Sequence, residues 1–365
     1  MWKHYKIRNH VTFMKYPLLL ALFLLLAVSW NAHAQTAEAS RITVSATPAP
    51  SPNDQITDAT SGRETTNTKP GYAPLSVMTG RAGDWMFSYQ FMFDSMDGNL
   101  VGTDEISTTE ILRTFAFAPT SMTMEMHMFT GMYAFTDRFN LTVMLPYLVK
   151  DMDMQPREGS GFTEHSNGIG DLELLATYTL WQTSDLRHRV LIKGGNGIPT
   201  GSIDAKMDGF PLEYCMQLGS GTVSLLPGLT YLGQAPPWGW GFNFDSIIQL
   251  GTNDHHYRFG NRYQPSVWVA RDVVDWLTIS VSAKGEIWEN VHGADPRLNP
   301  SDQQTNDPNR QGGKRLDAAL AITIHPRFLR GHQFLFEAEL PVAQSLDGPQ
   351  LQRSWLFHCG WQYYF

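Results

Sequence analysis

Cysteine is scarce in this chain, which has only Cys215 and Cys359 among 365 residues. Two cysteines make no disulfide framework, and Cys359 falls on the apolar side of the last alternating segment, which argues against pairing. Motifs that organise common catalytic sites are missing too: the sequence has no His-Glu-x-x-His, no Cys-x-x-Cys and no Gly-x-Ser-x-Gly. The sequence therefore predicts no enzyme and calls for no cofactor.

Basic residues are fewer than acidic ones, and several of the basic residues lie at the N-terminus. A basic stretch that ends at Lys15 precedes an apolar run from Leu18 to Trp30, and Ala32-His33-Ala34 supplies small residues for cleavage. This pattern is typical of a secretory signal peptide, and the run is too short for a membrane anchor. We predict cleavage after residue 34. The leader carries four of the 27 basic and none of the 35 acidic residues, so the mature chain has 23 against 35, a net charge of −12. That balance argues against nucleic-acid binding.

No long apolar run recurs after Gln35, so the mature chain has no candidate transmembrane helix. Instead, apolar side chains recur at every second position, which is typical of β-strands with one apolar face. The odd positions from Trp85 to Phe93, for example, are all aromatic. The pattern predicts about twelve strands. Their predicted spans are 84–94, 122–135, 139–150, 168–181, 189–196, 221–232, 239–251, 261–272, 276–288, 315–326, 332–342 and 354–365.

The connections between these spans alternate in length. Tight turns such as Thr136-Asp137-Arg138 alternate with long segments, among them 197–220, 290–314 and 343–353, and aromatic residues collect at the short-turn ends. Short periplasmic turns, long extracellular loops and aromatic girdles characterise outer-membrane barrels. We therefore predict an all-β, antiparallel, up-and-down transmembrane barrel over 84–365. A soluble β-sandwich also alternates, but it would not combine aromatic strand ends with charged residues at mid-strand.

An even number of strands places both termini at the periplasmic rim. Residues 35–70 are rich in Thr, Ala, Ser and Pro, and such a segment cannot bury enough apolar surface to order itself. We predict a flexible periplasmic segment over 35–83, with a small plug in the lumen as the alternative. The expected surroundings are outer-membrane lipids of a Gram-negative bacterium, and the sequence does not indicate an oligomeric state.

The polar side of each predicted strand carries ionisable residues. Facing lipid near the bilayer midplane costs about 2–4 kcal/mol for Arg or Lys, and less for Asp or Glu. The sequence therefore predicts that these residues line the lumen, as a hydrated ionic wall that also influences solute selectivity. They are Glu125, His127, Asp171, Glu173, Lys193, Asp245, Arg262, Lys284, Glu286, Arg315, Asp317, Glu337, Glu339 and His358.

Methionine is concentrated between Met92 and Met154, where ten of the sixteen fall. In the segment Ser121–Met132, methionine alternates with Glu125 and His127. If those two face the lumen, Met122, Met124, Met126 and Met128 face lipid. Methionine and histidine bind soft metals such as copper, so a copper- or silver-binding or metal-passing barrel is the alternative function. Its candidate ligands are His127, Met92, Met96 and Met144. Methionine is also a common apolar filler.

Three short motifs resemble a known family. Gly168-Ile169-Gly170-Asp171-Leu172 and Ile198-Pro199-Thr200-Gly201 resemble two motifs of the outer-membrane channel family named for the MetA pathway of phenol degradation. The segment from Ala118 to Met128 resembles a methionine-rich subgroup. The resemblance extends over residues 71–365 and implies a barrel without catalytic residues. It suggests passive passage of a small molecule, aromatic or hydrophobic, and this is the function that we expect.

Overall fold

The structure is a computed structural model that describes residues 80–365. The predicted signal peptide and nearly all of the predicted segment 35–83 lie outside the described residues. Among these residues, one α-helix, α1 (Thr108–Thr114), and three 3₁₀ helices (Tyr214–Met216, Gln304–Asn306 and Pro308–Arg310) lie in loops. Within residues 80–365, no helix has both the length and the apolarity needed to cross a membrane.

The rest of the regular structure in the described part of the chain is β-strand. In chain order the strands are β1 (Trp85–Gly102), β2 (Asp104–Ile106), β3 (Phe117–Thr136), β4 (Phe139–Pro156), β5 (Phe162–Ile169), β6 (Leu172–Gln182), β7 (His188–Ile198), β8 (Lys206–Met207), β9 (Phe210–Pro211), β10 (Ser224–Leu225), β11 (Gly228–Ala235), β12 (Trp238–Gln249), β13 (Tyr257–Arg258), β14 (Arg262–Val274), β15 (Leu277–Trp288), β16 (His292–Gly293), β17 (Gly313–Ile324) and β18 (His332–Tyr364).

The long strands form one closed antiparallel sheet. The neighbours run in the order β12, β11, β7, β6, β4, β3, β1, β18, β17, β15 and β14, and β14 pairs again with β12. Closure leaves no long sheet edge unpaired, which a barrel in lipid requires because no water reaches its backbone there. The predicted antiparallel barrel is confirmed.

The last element, β18, contributes two passes through the barrel wall. Its 33 residues pair with β17 through 334–346 and with β1 through 346–364. Tyr364 N donates to Gly331 O, and His332 stacks on Tyr363, so the element folds back on itself around residues 347–349. Counting both halves, twelve passes are present within residues 80–365, as the alternation predicts.

The connections at the two ends of the barrel differ in length. At one end β3–β4, β6–β7, β11–β12, β14–β15 and β17–β18 are joined by at most seven residues. At the other end lie the segments that contain the short strands and all the helices. By the general rule for such barrels, the short turns are periplasmic and the long segments extracellular. The prediction of a long loop over 343–353 is wrong. Most of these residues continue the two strands of the β18 hairpin, which are longer than the predicted spans 332–342 and 354–365.

One extracellular segment, residues 199–227, packs inside the barrel mouth; we call it the inserted loop. Leu212 and Met216 of this loop are buried against Met122, Met152 and Met154 on the inner face of β3 and β4. Apolar contact therefore anchors the loop to one side of the barrel wall.

Candidate functional site

The two faces of the wall can be assigned from exposure. On β1, Trp85 and Phe87 are 51% and 42% exposed, whereas Met86 between them is 1% exposed. Leu141 and Val143 on β4 are exposed in the same way, and Thr142 is buried. Because directly opposed residues of antiparallel strands point to the same side, the ladder registers extend this assignment around the barrel. The outer face is the apolar one, and the candidate site is the lumen enclosed by the inner face.

Charged side chains of β1, β14, β15, β17 and β18 form two groups of ion pairs on the inner face, which together we call the ionic wall. Its members are Asp94, Arg262, Lys284, Glu286, Arg315, Asp317, Glu337, Glu339 and Arg353.

Arginines dominate one part of this network. Arg315 donates to Glu286 at 2.5 Å and to Asp317 at 2.8 Å. Arg353 donates to Asp317 at 3.1 Å and to both oxygens of Asp94. Each carboxylate is met by at least one guanidinium, and such bonds between ions are stronger than neutral ones. These bonds therefore link β15, β17, the second half of β18 and β1.

Lys284 occupies the other part of the wall, where two acids share one base. Its Nζ donates to Glu337 and to Glu339, both at 2.5 Å. His358 Nδ1 lies 3.9 Å from the Glu337 carboxylate, and His358 Nε2 lies 3.2 Å from Gln90 Oε1. This cluster carries more carboxylate than ammonium charge.

Lys193 and Asp245 form a separate ion pair on β7 and β12. Lys193 also donates to Asn243 Oδ1 at 2.8 Å, and Asn243 donates to Asp245 at 2.6 Å. The pair occupies the space beside Gly228, where a Cβ atom would lie 2.4 Å from Asp245. Glycine is therefore required beside this pair. Glu173 lies on the inner face of β6, opposite Met144 of β4.

The adjoining part of the inner face, on β1, β3 and β4, is lined by methionine, and we call it the methionine wall. Met86 pairs with Met132, Met92 with Met126 and Met96 with Met122, so these residues share the inner face of β1 and β3. The complete set on β1, β3 and β4 is Met86, Met92, Met96, Met122, Met124, Met126, Met128, Met132, Met144, Met152 and Met154.

The prediction that Glu125 and His127 face the lumen is wrong, and so is the prediction that the alternating methionines of β3 face lipid. His127 pairs with Phe91 and Glu125 with Phe93, which places both on the outer face. There the Tyr89 hydroxyl lies 2.7 Å from His127 Nδ1, and Glu125 lies 3.9 Å from His127 Nε2. Of the residues of β3, His127 lies nine and Glu125 eleven positions before its periplasmic end at Thr136. A strand crosses the hydrocarbon core in about 9–11 residues, so both approach the extracellular interface, where an ionisable side chain costs only about 0–1 kcal/mol.

The candidate metal ligands are not brought together. His127 lies outside the wall, whereas Met92, Met96 and Met144 lie inside it. Over residues 80–365 there is no group of three or more His, Cys, Asp or Glu side chains arranged to hold a metal ion.

Asp171 and the two glycine-containing motifs have a structural role that sequence reasoning missed. Asp171 accepts from Gly201 N at 3.0 Å and from Ser220 N at 2.8 Å, so it holds the two ends of the inserted loop. Thr200 Oγ1 donates to Gly170 O at 2.8 Å. Gly201 and Gly219 touch: a Cβ on Gly201 would lie 2.6 Å from Gly219 Cα. The motifs therefore meet in one clamp at the base of the inserted loop.

A buried carboxyl pair was also missed, because Glu164 and Glu213 are distant in sequence. Glu213, in the inserted loop, is fully buried. Burial and the adjacent Glu164 carboxylate raise the pKa of Glu213 well above its ordinary value. Burial likewise raises the pKa of Glu164 on β5. Two adjacent buried carboxylates cannot both be ionised cheaply, so the pair favours a protonated state.

A solved structure supports the barrel fold. An outer membrane channel from Pseudomonas putida F1 aligns with a TM-score of 0.57 at 13% identity, covering 80% of this chain and 99% of that one. A FadL homologue from Pseudomonas aeruginosa aligns with a TM-score of 0.38 at 11% identity, over 77% and 89% of the two chains. No curated protein matches the sequence.

A match to a family model assigns the chain to a protein family. The model described as "Putative MetA-pathway of phenol degradation" matches residues 94–328, a range that includes the clamp and most of both lumen walls. The chain is an outer-membrane β-barrel and belongs to this family.

Proposed function

We propose that the protein is an outer-membrane channel through which a small molecule with a hydrophobic or aromatic part passes passively. The observation that supports this most directly is the methionine wall. Met92, Met124, Met126 and Met128 point inward and remain half-buried, so thioether side chains stay accessible inside the lumen. Accessible apolar side chains inside a barrel provide contacts for an apolar solute, and flexible methionines adapt to several shapes.

The lumen provides the path, and the extracellular segments control access to it. The inserted loop packs against the extracellular part of the methionine wall and narrows the mouth on that side. Lys150 of β4 donates to the backbone oxygens of Cys215 and Gln217 at 2.8 and 2.6 Å, which fastens the loop further. A solute that enters from outside has to pass this loop or displace it.

The ionic wall has two roles in this proposal. Its salt bridges link neighbouring strands, and its charges bias which solutes enter. Lys193, Asp245 and Glu173 extend the polar lining around the lumen, whereas Asp171 acts on the solute only through the loop that it holds. Outer-membrane lipids surround the apolar outer face. No contact in the structure favours the copper or silver function over passage of an organic molecule.

Recordings on purified protein in planar lipid bilayers test the channel function. We expect discrete current steps, and larger steps when residues 202–219 of the inserted loop are replaced by a short glycine-serine linker. Protein unfolded by boiling serves as the control. If refolded wild-type protein gives neither current nor solute uptake into liposomes, the channel function is refuted.

A further inference from the structure

The lumen has two unlike walls that meet at one line, and we infer that the solute is amphipathic: an aromatic or other apolar body that bears a cationic group rather than a carboxylate. The inference rests on the proposed channel function and specifies its substrate class. It follows from the position of the two walls and from the balance of charge between them.

The walls meet where β1 pairs with β18. Met92 lies opposite His358 on one side and opposite Met126 on the other. His358 in turn lies 3.9 Å from Glu337, which binds Lys284. The transition from thioether to carboxylate therefore takes place across two adjacent strands. A molecule about the size of one aromatic ring can touch both walls at this line.

The ionic wall contains more acidic than basic side chains. Four bases, Arg262, Lys284, Arg315 and Arg353, face five acids, Asp94, Glu286, Asp317, Glu337 and Glu339, with histidine counted as neutral. Elsewhere on the inner face the Lys193–Asp245 pair is neutral, and Glu173 is accompanied by Lys150 and Arg189, so the acidic surplus is local to the ionic wall.

The surplus carboxylate lies close to the methionine wall. The arginine part of the network gives each acid a guanidinium, but Glu337 and Glu339 share only Lys284. These two acids are therefore the source of the uncompensated negative charge. A local cluster with a surplus of one sign of charge raises the concentration of solutes of the opposite sign beside it, so an ammonium group is attracted to this part of the lumen and a carboxylate is repelled.

The methionine wall selects the body of the solute. Thioether sulfur makes favourable contacts with aromatic rings, and its flexible chain adapts to different outlines. Met126 and Met128 are half-buried on the inner face of β3, next to Met92, so their side chains are accessible to such a ring. Because the wall extends along the lumen on three consecutive strands, a ring can move from one methionine to the next.

Bi-ionic reversal potentials in planar bilayers test both parts of the inference. The probes are benzylammonium and benzoate, which share a ring and differ in charge, with methylammonium and acetate as ring-free controls. We expect benzylammonium to be more permeant than benzoate. We also expect it to exceed methylammonium by about twofold to tenfold, the range of sulfur–aromatic contact strengths.

Matched variants assign these preferences to the walls. Met126→Gln with Met128→Gln should remove the advantage of the ring and leave methylammonium unchanged, whereas the paired Leu substitutions should retain most of it. Glu339→Gln, which keeps the Lys284–Glu337 bond, should weaken the preference for cations. Heat-dependent gel mobility confirms that each variant is folded.

The outcomes separate this inference from the channel function. Equal or greater permeability of benzoate, or no advantage of the ring in wild type, overturns the amphipathic substrate while the channel function stands. Absence of current with sodium chloride and with all four probes overturns the channel function and this inference together.

Discussion

Met92 and His358 lie directly opposite each other in the β1–β18 ladder, one as part of the methionine wall and the other beside the ionic wall. Two neighbouring strands therefore present unlike chemistry to the same lumen. On one side of this line the apolar side chains are flexible and half-buried, and on the other the charged side chains are tied to one another. The lining of the lumen is consequently asymmetric around the barrel axis.

The orientation of β3 can be tested by thiol labelling. In a background with Cys215→Ser and Cys359→Ser, Met128→Cys should react with a water-soluble maleimide, because residue 128 faces the lumen. Phe129→Cys should not, because Phe129 is 44% exposed on the outer, lipid-facing side. The measurement is made in proteoliposomes, where lipid covers residue 129 and the lumen remains open to the reagent at residue 128. Labelling of residue 129 and protection of residue 128 would reverse the assignment of the two faces.

The Asp94–Arg353 ion pair should be important for stability. Asp94 is 1% exposed, and its two carboxylate oxygens share the Nε–H of Arg353, at 2.9 and 3.1 Å. Arg353 Nη2 donates a second hydrogen bond to Asp94 Oδ2 at 2.5 Å. Breaking one side of a buried pair typically costs about 3–5 kcal/mol, because the other charge stays buried. Arg353→Met should therefore lower the temperature at which the barrel loses its compact gel mobility.

A double variant provides the control for this ion pair. Asp94→Asn combined with Arg353→Met removes both charges and should lower the unfolding temperature by less than the two single effects added together. Additive losses would show that the two side chains stabilise the barrel independently.

Alternation predicted the barrel, its strand number and most strand spans because lipid imposes one apolar face on every pass. The same rule failed locally on β3. Methionine is apolar wherever it points, and Glu125 and His127 lie close enough to the interface to face outward at low cost. Orientation there depends on the pairing of His127 with Phe91, a partner 36 positions away, and sequence period alone does not reveal that pairing.

The candidate site was only partly predictable for a related reason. The charges on β14, β15 and β17 could be placed on the inner face because strong alternation surrounds them. Arg353 could not, because its segment was expected to be a loop. The clamp at Asp171 and the Glu164–Glu213 pair depend on loop folding that brings distant residues into contact, which no local pattern encodes.

The clamp at the base of the inserted loop should be intolerant of a single methyl group. In Gly201→Ala the added Cβ would lie 2.6 Å from Gly219 Cα and 2.7 Å from Leu218 O, so the backbone has to move. We expect faster proteolysis of residues 202–219 and larger current steps. Gly194→Ala is the matched control, because nothing lies within 4 Å of its new Cβ. Equal behaviour of the two variants would exclude a role for the close glycine contact.

Retention of the inserted loop should weaken as pH rises, because of the Glu164–Glu213 pair. A carboxyl group with a raised folded-state pKa contributes stability that is fully present below its unfolded pKa, about 4.3. That contribution is lost as pH increases through the raised value. Protection of residues 202–219 from protease should therefore decline with increasing pH in wild type. In Glu213→Gln the side chain stays uncharged, so this decline should largely disappear.

Asp204 provides a control of opposite sign in the same loop. Hydrogen bonding from Arg297 lowers the pKa of Asp204, with the two groups 2.6 Å apart. Its contribution is present above its unfolded pKa, about 3.9, and is lost as pH falls through the lowered value. Asp204→Asn should therefore reduce loop protection at neutral pH and leave the decline at higher pH intact. If Glu213→Gln retains the full decline and Asp204→Asn removes it, the buried carboxyl pair is not the group that titrates.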